Sequence, residues 1–309
     1  MNDNIPLISI AMATYNGQKF IIDQLDSITN QTYKNFEIIV CDDKSTDSTF
    51  EILQNYKTKY PLKLIQNYKN LGIVSTFENA LKLCNGDFIA LSDQDDIFFP
   101  EKLEILLNNI GDFYLIHSDS IIIDEFNKIT FRSHFRKFKD INKKSFVDYL
   151  SGNNVTGNSI LIRKELLSIA LPFPKSIRIH DHYLALCASY YNKIILYPKP
   201  LQYYRQHLSN AIGIKKNSYE TFLKNTRKDI KNYISFLKLF KFTDNEREIK
   251  IFLELKIAIV RGNYKTQFSI LNNLKIKGFL RLYIVYLILN PIFPYRLRFN
   301  IYNFLNTLR

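Results

Sequence analysis

The segment FIALSDQDDIFFPEK, Phe88–Lys102, is where strand and binding edge can both be read. It opens as a short apolar run and stops at Ser92, which reads as a strand buried on both faces. Asp93, Gln94, Asp95 and Asp96 follow, and nothing basic stands beside them until Lys102. Three carboxylates within four residues repel one another. A core has no use for that charge, but a binding edge does: in an open parallel sheet, ligands bind beyond the carboxyl ends of the strands.

On either side of this segment, strand and helix patterns alternate. Leu7–Ala13, Phe36–Cys41, Leu62–Gln66, Asp87–Ser92 and Phe113–Asp119 read as strands. Between them Ile21, Leu25 and Ile28 recur at helical spacing, as do Phe50 with Leu53, then Val74, Phe77, Leu81 and Cys84, then Leu103, Leu106, Leu107 and Ile110. Ser45 or Asp47 can cap the second helix. The alternation predicts an α/β fold with a mostly parallel sheet and helices on both faces. Its strand ends carry Thr14-Tyr15-Asn16, Asp42-Asp43, Asn67 and Asp93–Asp96, which should meet on one edge. Residues 120–214 are less regular: a basic loop at Arg132–Lys144, a strand-like SILI, and His180-Asp181-His182 ahead of a helical pattern.

With 309 residues, 46% of them hydrophobic, the chain can bury a large core. Its charge is uneven. Residues 1–214 hold 23 Lys+Arg and 23 Asp+Glu, while residues 215–309 hold 19 and 6, so the whole +13 lies in the last third. This predicts a division into residues 1–214 (1–119 and 120–214 as its two parts) and a basic helical region, 215–309. Cys41, Cys84 and Cys187 form no CxxC pair and read as free thiols in a reducing compartment. The N-terminus lacks the basic and small-residue features of a signal peptide, and no apolar run reaches membrane-span length.

Asp93 and Asp95 are oxygen donors on a loop after a strand. Mg²⁺ is commonly held by one or two carboxylates plus substrate phosphates, although a solvated acidic turn explains the same residues. Asp42 and Asp43 could accept a hydrogen bond from a nucleobase or simply cap the following helix. Tyr15 could stack on a planar base. The first turn reads TYNGQ rather than GxGxxG, and no GxxxxGK[ST] occurs, which argues against dinucleotide and P-loop sites. Asp181 could serve as a general base on a hydroxyl or merely cap its helix. His207 could meet a metal or phosphate, and HDH lacks the spacing of a helical zinc pair.

The ordered set ISIAMATYNG, FEIIVCDDKSTDST, NLGIVSTFENAL, GDFIALSDQDDIFFPEKL, TGNSILIRKEL and HDHYLA resembles family 2 glycosyltransferases over about residues 7–210. The LSDQDDIF wording and the HDHYLA…YRQH pair are most similar to bacterial rhamnosyltransferase-type members that build O-antigen or capsule glycans. The resemblance implies a GT-A fold and transfer of a sugar, with inversion, from a UDP- or dTDP-sugar to a glycan hydroxyl on a lipid-linked acceptor. It implies that Thr14, Tyr15, Asn16, Asp42, Asp43, Asn70, Asp93 and Gln94 bind the donor. Asp93 and Asp95 form the DxD motif for Mn²⁺ or Mg²⁺, with His207 beside the metal or diphosphate. Asp181 becomes the base, and Gly157, Asn158, His180 and His182 line the acceptor side. Many members carry Glu-Asp or Asp-Asp where this chain has His180-Asp181, so the base assignment rests on Asp181 alone.

The segment Arg281–Leu305 is apolar and aromatic, broken by Pro291 and Pro294 and flanked by arginines. Such a tail suits the inner face of a cell membrane, which would make the chain cytoplasmic and peripheral. It could equally pack on the catalytic part or form a homodimer contact. Unchanged membrane flotation after removal of residues 275–309 would rule out the first reading. The pI of about 9.4 invites a nucleic-acid-binding reading, but the motif-rich part is neutral and carries no recognition motif, so no nucleic-acid partner is expected. A sugar-phosphate nucleotidyltransferase also uses parallel strands and aspartate-bound Mg²⁺; TYNGQK is a poor version of its phosphate loop.

Overall fold

A computed structural model describes residues 5–207 apart from 134–145, 152, 154 and 176. The expected basic tail, its helices and most of the Arg132–Lys144 loop lie outside the described residues. The chain divides into two compact units, Met1–Lys143 with Asn153–Gly213, and Lys144–Gly152 with Ile214–Arg309. In the second unit only the short helix α5 (Phe146–Ser151) is described. Among the described residues no helix is long and apolar enough to cross a membrane.

The first unit is built on one sheet. Strands β1 (Ile8–Thr14), β2 (Phe36–Asp42), β3 (Lys63–Gln66) and β4 (Phe88–Ser92) form its parallel half, in the order β3-β2-β1-β4. Their crossovers are the helices α1 (Ile21–Thr29), α2 (Thr49–Lys57) and α3 (Ile73–Leu81). The strand β4 is buried along its whole length, as its unbroken apolar run predicts. Its neighbour β1 alternates by side. Ile8, Ile10 and Met12 enter the main core with Leu25 and Ile28 of α1 and Leu53 of α2, while α3 packs on β1 and β2 outside that cluster.

The second half departs from simple alternation. A two-residue strand β5 (Ile97–Phe98), helix α4 (Lys102–Ile110), strands β6 (Leu115–Ile123), β7 (Ile129–Phe131) and β8 (Ile160–Arg163), helices α6 (Lys164–Ala170) and α7 (His180–Tyr190), and the long strand β9 (Ile194–Arg205) follow. The strand β8 runs antiparallel to both β4 and β6, β9 runs parallel to β6, and β5 pairs antiparallel with β9. The register of β6 with β9 shifts twice, after Ser118 and after Asp119, so β9 bends and its far end returns to β5 beside the aspartate loop. That bend brings residues 205–207 to the carboxyl edge of β4. The three cysteines are free and buried.

Candidate active site

The carboxyl ends of β1, β2 and β4 are knitted into one polar edge. Asp42 ends β2 fully buried, and its carboxylate accepts from Thr14 Oγ1 at 3.0 Å, Ser45 N at 2.9 Å, Ser45 Oγ at 2.5 Å and Gln66 Nε2 at 3.0 Å. Gln66 is a partner that the spacing does not single out, and Ser45, read as a cap of the second helix, binds Asp42 instead, the N-cap position of α2 being Ser48. Asp43 accepts from Asn67 Nδ2 at 2.8 Å and from the backbone N–H groups of Leu71 and Gly72 at 2.7 and 2.8 Å. It therefore anchors the loop that carries exposed Asn70 into α3, rather than presenting a free carboxylate to a ligand. Asn16 takes a positive φ of 51°, and its side-chain oxygen accepts from Thr46 N at 2.8 Å, tying the first loop to the second. Tyr15 is left 44% exposed with its ring at the rim, where a planar base could stack.

Gln94 faces this loop from the other side. Its amide accepts from Tyr15 N at 2.8 Å and donates to Tyr15 O at 3.0 Å, a two-way clamp between the first loop and the aspartate loop. The clamp requires Gly17, where a Cβ would lie 2.3 Å from Gln94 Oε1. Gly17→Ala should push Gln94 off Tyr15 and cost about 1–2 kcal/mol through the two lost bonds. A melting temperature equal to wild type would show that the clamp contributes nothing.

In the aspartate loop, Asp95 is buried and its Oδ2 stands 2.8 Å from His207 Nε2, beyond the end of β9. His207 leans on the Phe20 ring, centroid to centroid 5.0 Å. Burial, then the Asp95 and Asp181 carboxylates, push Asp93 up to about 8. Asp96 is fully buried and is pushed well above the ordinary carboxylate range by burial, Asp95 and Asp93. It accepts from Arg205 N at 2.8 Å and from the Asn158 amide. Arg205, buried at the end of β9, donates from Nε to Asp95 O at 2.7 Å and from Nη1 to Asn127 Oδ1 at 2.6 Å. Its guanidinium carbon lies 4.4 Å from the centroid of the Phe20 ring.

The Asp93 and Asp95 carboxylates suit a divalent ion of the hard-oxygen type, with the His207 ring nitrogen beside them as a further donor. Among the described residues no three ligating side chains close on one point, but Asp95 and His207 already meet and Asp93 crowds them. A partial protein donor set of this kind, completed by phosphate oxygens and water, is how Mg²⁺ and its relatives are usually held.

Asp181 lies in the first turn of α7, 7% exposed. Its carboxylate accepts from Asn153 Nδ2 at 2.9 Å and from His182 N at 2.5 Å. Burial raises it to about 6 against the opposing pull of these bonds. His182 is half-buried beside it. The other three acceptor-side expectations, His180, Asn158 and Gly157, lie in a closed interior. His180 is 3% exposed and stacked on Phe77 with ring centroids 3.9 Å apart, and burial lowers it to about 3, so it packs as a neutral ring. Asn158 is fully buried, with its amide turned to Asp96. Gly157 is buried against His180 and Asp181, where a Cβ would stand 3.1 Å from His180 Nε2 and 3.5 Å from Asp181 Oδ2.

The model of the Glycosyl transferase family 2 domain matches residues 9–168. An uncharacterized glycosyltransferase, MJ1057, of Methanocaldococcus jannaschii is 32% identical over 255 residues, 77% of this chain and 86% of that protein. The Escherichia coli UDP-Glc:alpha-D-GlcNAc-diphosphoundecaprenol beta-1,3-glucosyltransferase WfgD is 38% identical over 126 residues, which are 38% of this chain and 49% of that protein. This chain thus spans about half the length of some curated relatives that it matches. The solved mannosyltransferase PcManGT of Pyrobaculum calidifontis, in complex with GDP-Man and Mn²⁺, superposes with a TM-score of 0.62 at 16% identity, over 99% of this chain and 86% of that one. The fold is therefore the GT-A type, with its sheet and helices as described, and the chain belongs to glycosyl transferase family 2.

Proposed function

We propose that the chain transfers a sugar from a nucleoside-diphosphate sugar to a hydroxyl of a bacterial surface glycan, inverting the anomeric carbon. The observation that carries this reading is the placement of Asp181. It is a buried carboxylate raised to about 6, and its charge bears on Asp93 at the edge where the loops of β1, β2 and β4 meet. A base of that acidity is largely ionised at neutral pH and still holds a proton well enough to accept one.

In this reading Tyr15 stacks on the base, and Asp42 and the loop held by Asp43 shape the nucleoside end. Asp95 and His207, with Asp93, hold Mn²⁺ or Mg²⁺. The ion, when bound, stabilises negative charge on the diphosphate leaving group. The acceptor hydroxyl oxygen forms a bond to the anomeric carbon while its proton passes to Asp181. The bond from that carbon to the diphosphate oxygen breaks, and its electron pair leaves with the nucleoside diphosphate. Attack from the face opposite the leaving group inverts the centre.

WfgD's diphosphoundecaprenol acceptor supports a lipid-linked acceptor here, and the basic tail would hold the enzyme at the membrane that carries it. WfgD's UDP-Glc supports a UDP-linked donor; PcManGT shows that the fold also takes GDP-sugars. Thermal shift with UDP, dTDP, GDP and CMP, each with and without Mn²⁺, tests the donor site. One nucleoside diphosphate should stabilise the protein only with metal, by roughly 2.7 kcal/mol at a hundredfold excess over its dissociation constant. No shift with any of them would remove the donor-site assignment.

A further inference from the structure

The segment Phe88–Lys102 ends in the first basic residue after the three aspartates, Lys102. In sequence it looks like a surface lysine at a helix start. In the fold it is fully buried as the first residue of α4. That is a poor place for a cation, since a helix N-terminus already carries partial positive charge and burial strips the ammonium of water. Its position is explained by what surrounds it. Lys102 Nζ donates to the Asn158 carbonyl and, at 2.5 Å, to Gln202 Oε1, and it sits 3.1 Å from the centroid of the Phe98 ring.

Each partner passes the constraint on. Gln202 Nε2 donates to Asn158 Oδ1 at 2.7 Å and to Ser120 Oγ at 2.9 Å. The Asn158 amide donates to Asp96 Oδ2, and Asp96 Oδ1 accepts from Arg205 N. Lys102, Asp96, Ser120, Asn158 and Gln202 are each fully buried. The chain of bonds begins at the Lys102 side chain beneath the aspartate loop and ends on the residue two before His207. It joins the segments that must bring Asp95 and His207 together: the loop after β4, and the end of β9.

We infer that Lys102 is a positioning residue for the metal site, holding the Asp95 and His207 segments in register through Asn158, Gln202 and Asp96. The inference rests on the reading that Asp95 and His207 hold the divalent ion. A hydrophobic residue of similar length at 102 would fill the space and leave the Asn158 carbonyl and Gln202 amide without their shared donor. A half-satisfied buried network loses the single geometry that a complete one imposes.

The test is Mn²⁺ affinity of the full chain, followed by electron paramagnetic resonance of free Mn²⁺, with UDP and in parallel with GDP. Lys102→Met should weaken Mn²⁺ binding at least tenfold while still melting cooperatively. Leu106→Ala, which opens a cavity in the same helix away from the network, should lower the melting temperature but keep Mn²⁺ affinity within twofold of wild type. If Lys102→Met does not fold, Gln202→Leu carries the same expectation. Wild-type affinity in the folded variant, or an equal loss in Leu106→Ala, overturns the inference. Failure of the wild type to bind Mn²⁺ with either nucleotide removes the metal reading itself, and the inference with it.

Discussion

Asp181→Asn should lower kcat for sugar transfer by roughly 10²–10⁴-fold, the usual contribution of a positioned general base. The asparagine can still accept the 2.9 Å bond from Asn153 Nδ2, so the first turn of α7 keeps its shape and only the proton acceptor is lost. Nucleotide-induced thermal stabilisation should therefore match wild type. The pH profile gives a second, signed check. Asp181 must be ionised to act, and burial raises it from the ordinary 3.8 to about 6. The wild-type kcat/KM should then be level above neutrality and fall about tenfold per pH unit below 6. An asparagine variant that retains more than a tenth of the activity, or a profile flat down to pH 5, would move the base elsewhere.

Asp95→Ala is the second large effect. It removes the carboxylate that meets His207 at 2.8 Å and with it the best-formed part of the candidate metal site. The Mn²⁺-dependent part of the nucleotide thermal shift should disappear, and transfer should fall by about 10³-fold or more, some 4 kcal/mol of transition-state stabilisation. The two variants separate cleanly: Asp181→Asn spares metal-dependent nucleotide binding, whereas Asp95→Ala abolishes it. Persistence of the Mn²⁺ effect in Asp95→Ala would mean that Asp93 and His207 suffice without it.

Much of the polar edge is legible in the sequence because it depends on local pattern. A strand buried on both faces announces itself as an unbroken apolar run, and the run Phe88–Ser92 became β4 with every residue buried. The residues just beyond such runs must lie at the carboxyl edge, which is why Thr14, Asp42 and Asp93–Asp96 could be grouped from the alternation alone. Gln94 belongs with them by position, but its two bonds to the Tyr15 backbone depend on how closely two loops approach. Gly17, which permits that approach, carries no signal of its own beyond being a glycine in a turn.

Local pattern suffices for the parallel first half, the polar edge and the carboxylates that stand there, because periodicity and strand ends are encoded within a few residues. What the polar residues of the second half do depends on long-range packing. His180 and Asn158, read as acceptor-side residues, are drawn into the interior by Phe77 and Asp96. Lys102 and Arg205, which look like ordinary surface cations, are buried beneath and beside the aspartate loop by bonds to residues 56 to 110 positions away. Those bonds depend on β8 entering antiparallel and on the register shifts that bend β9 back to β5. A contact closed across a hundred residues leaves no periodic trace in the chain, since its partners are chosen by the packing of whole strands rather than by their neighbours in sequence.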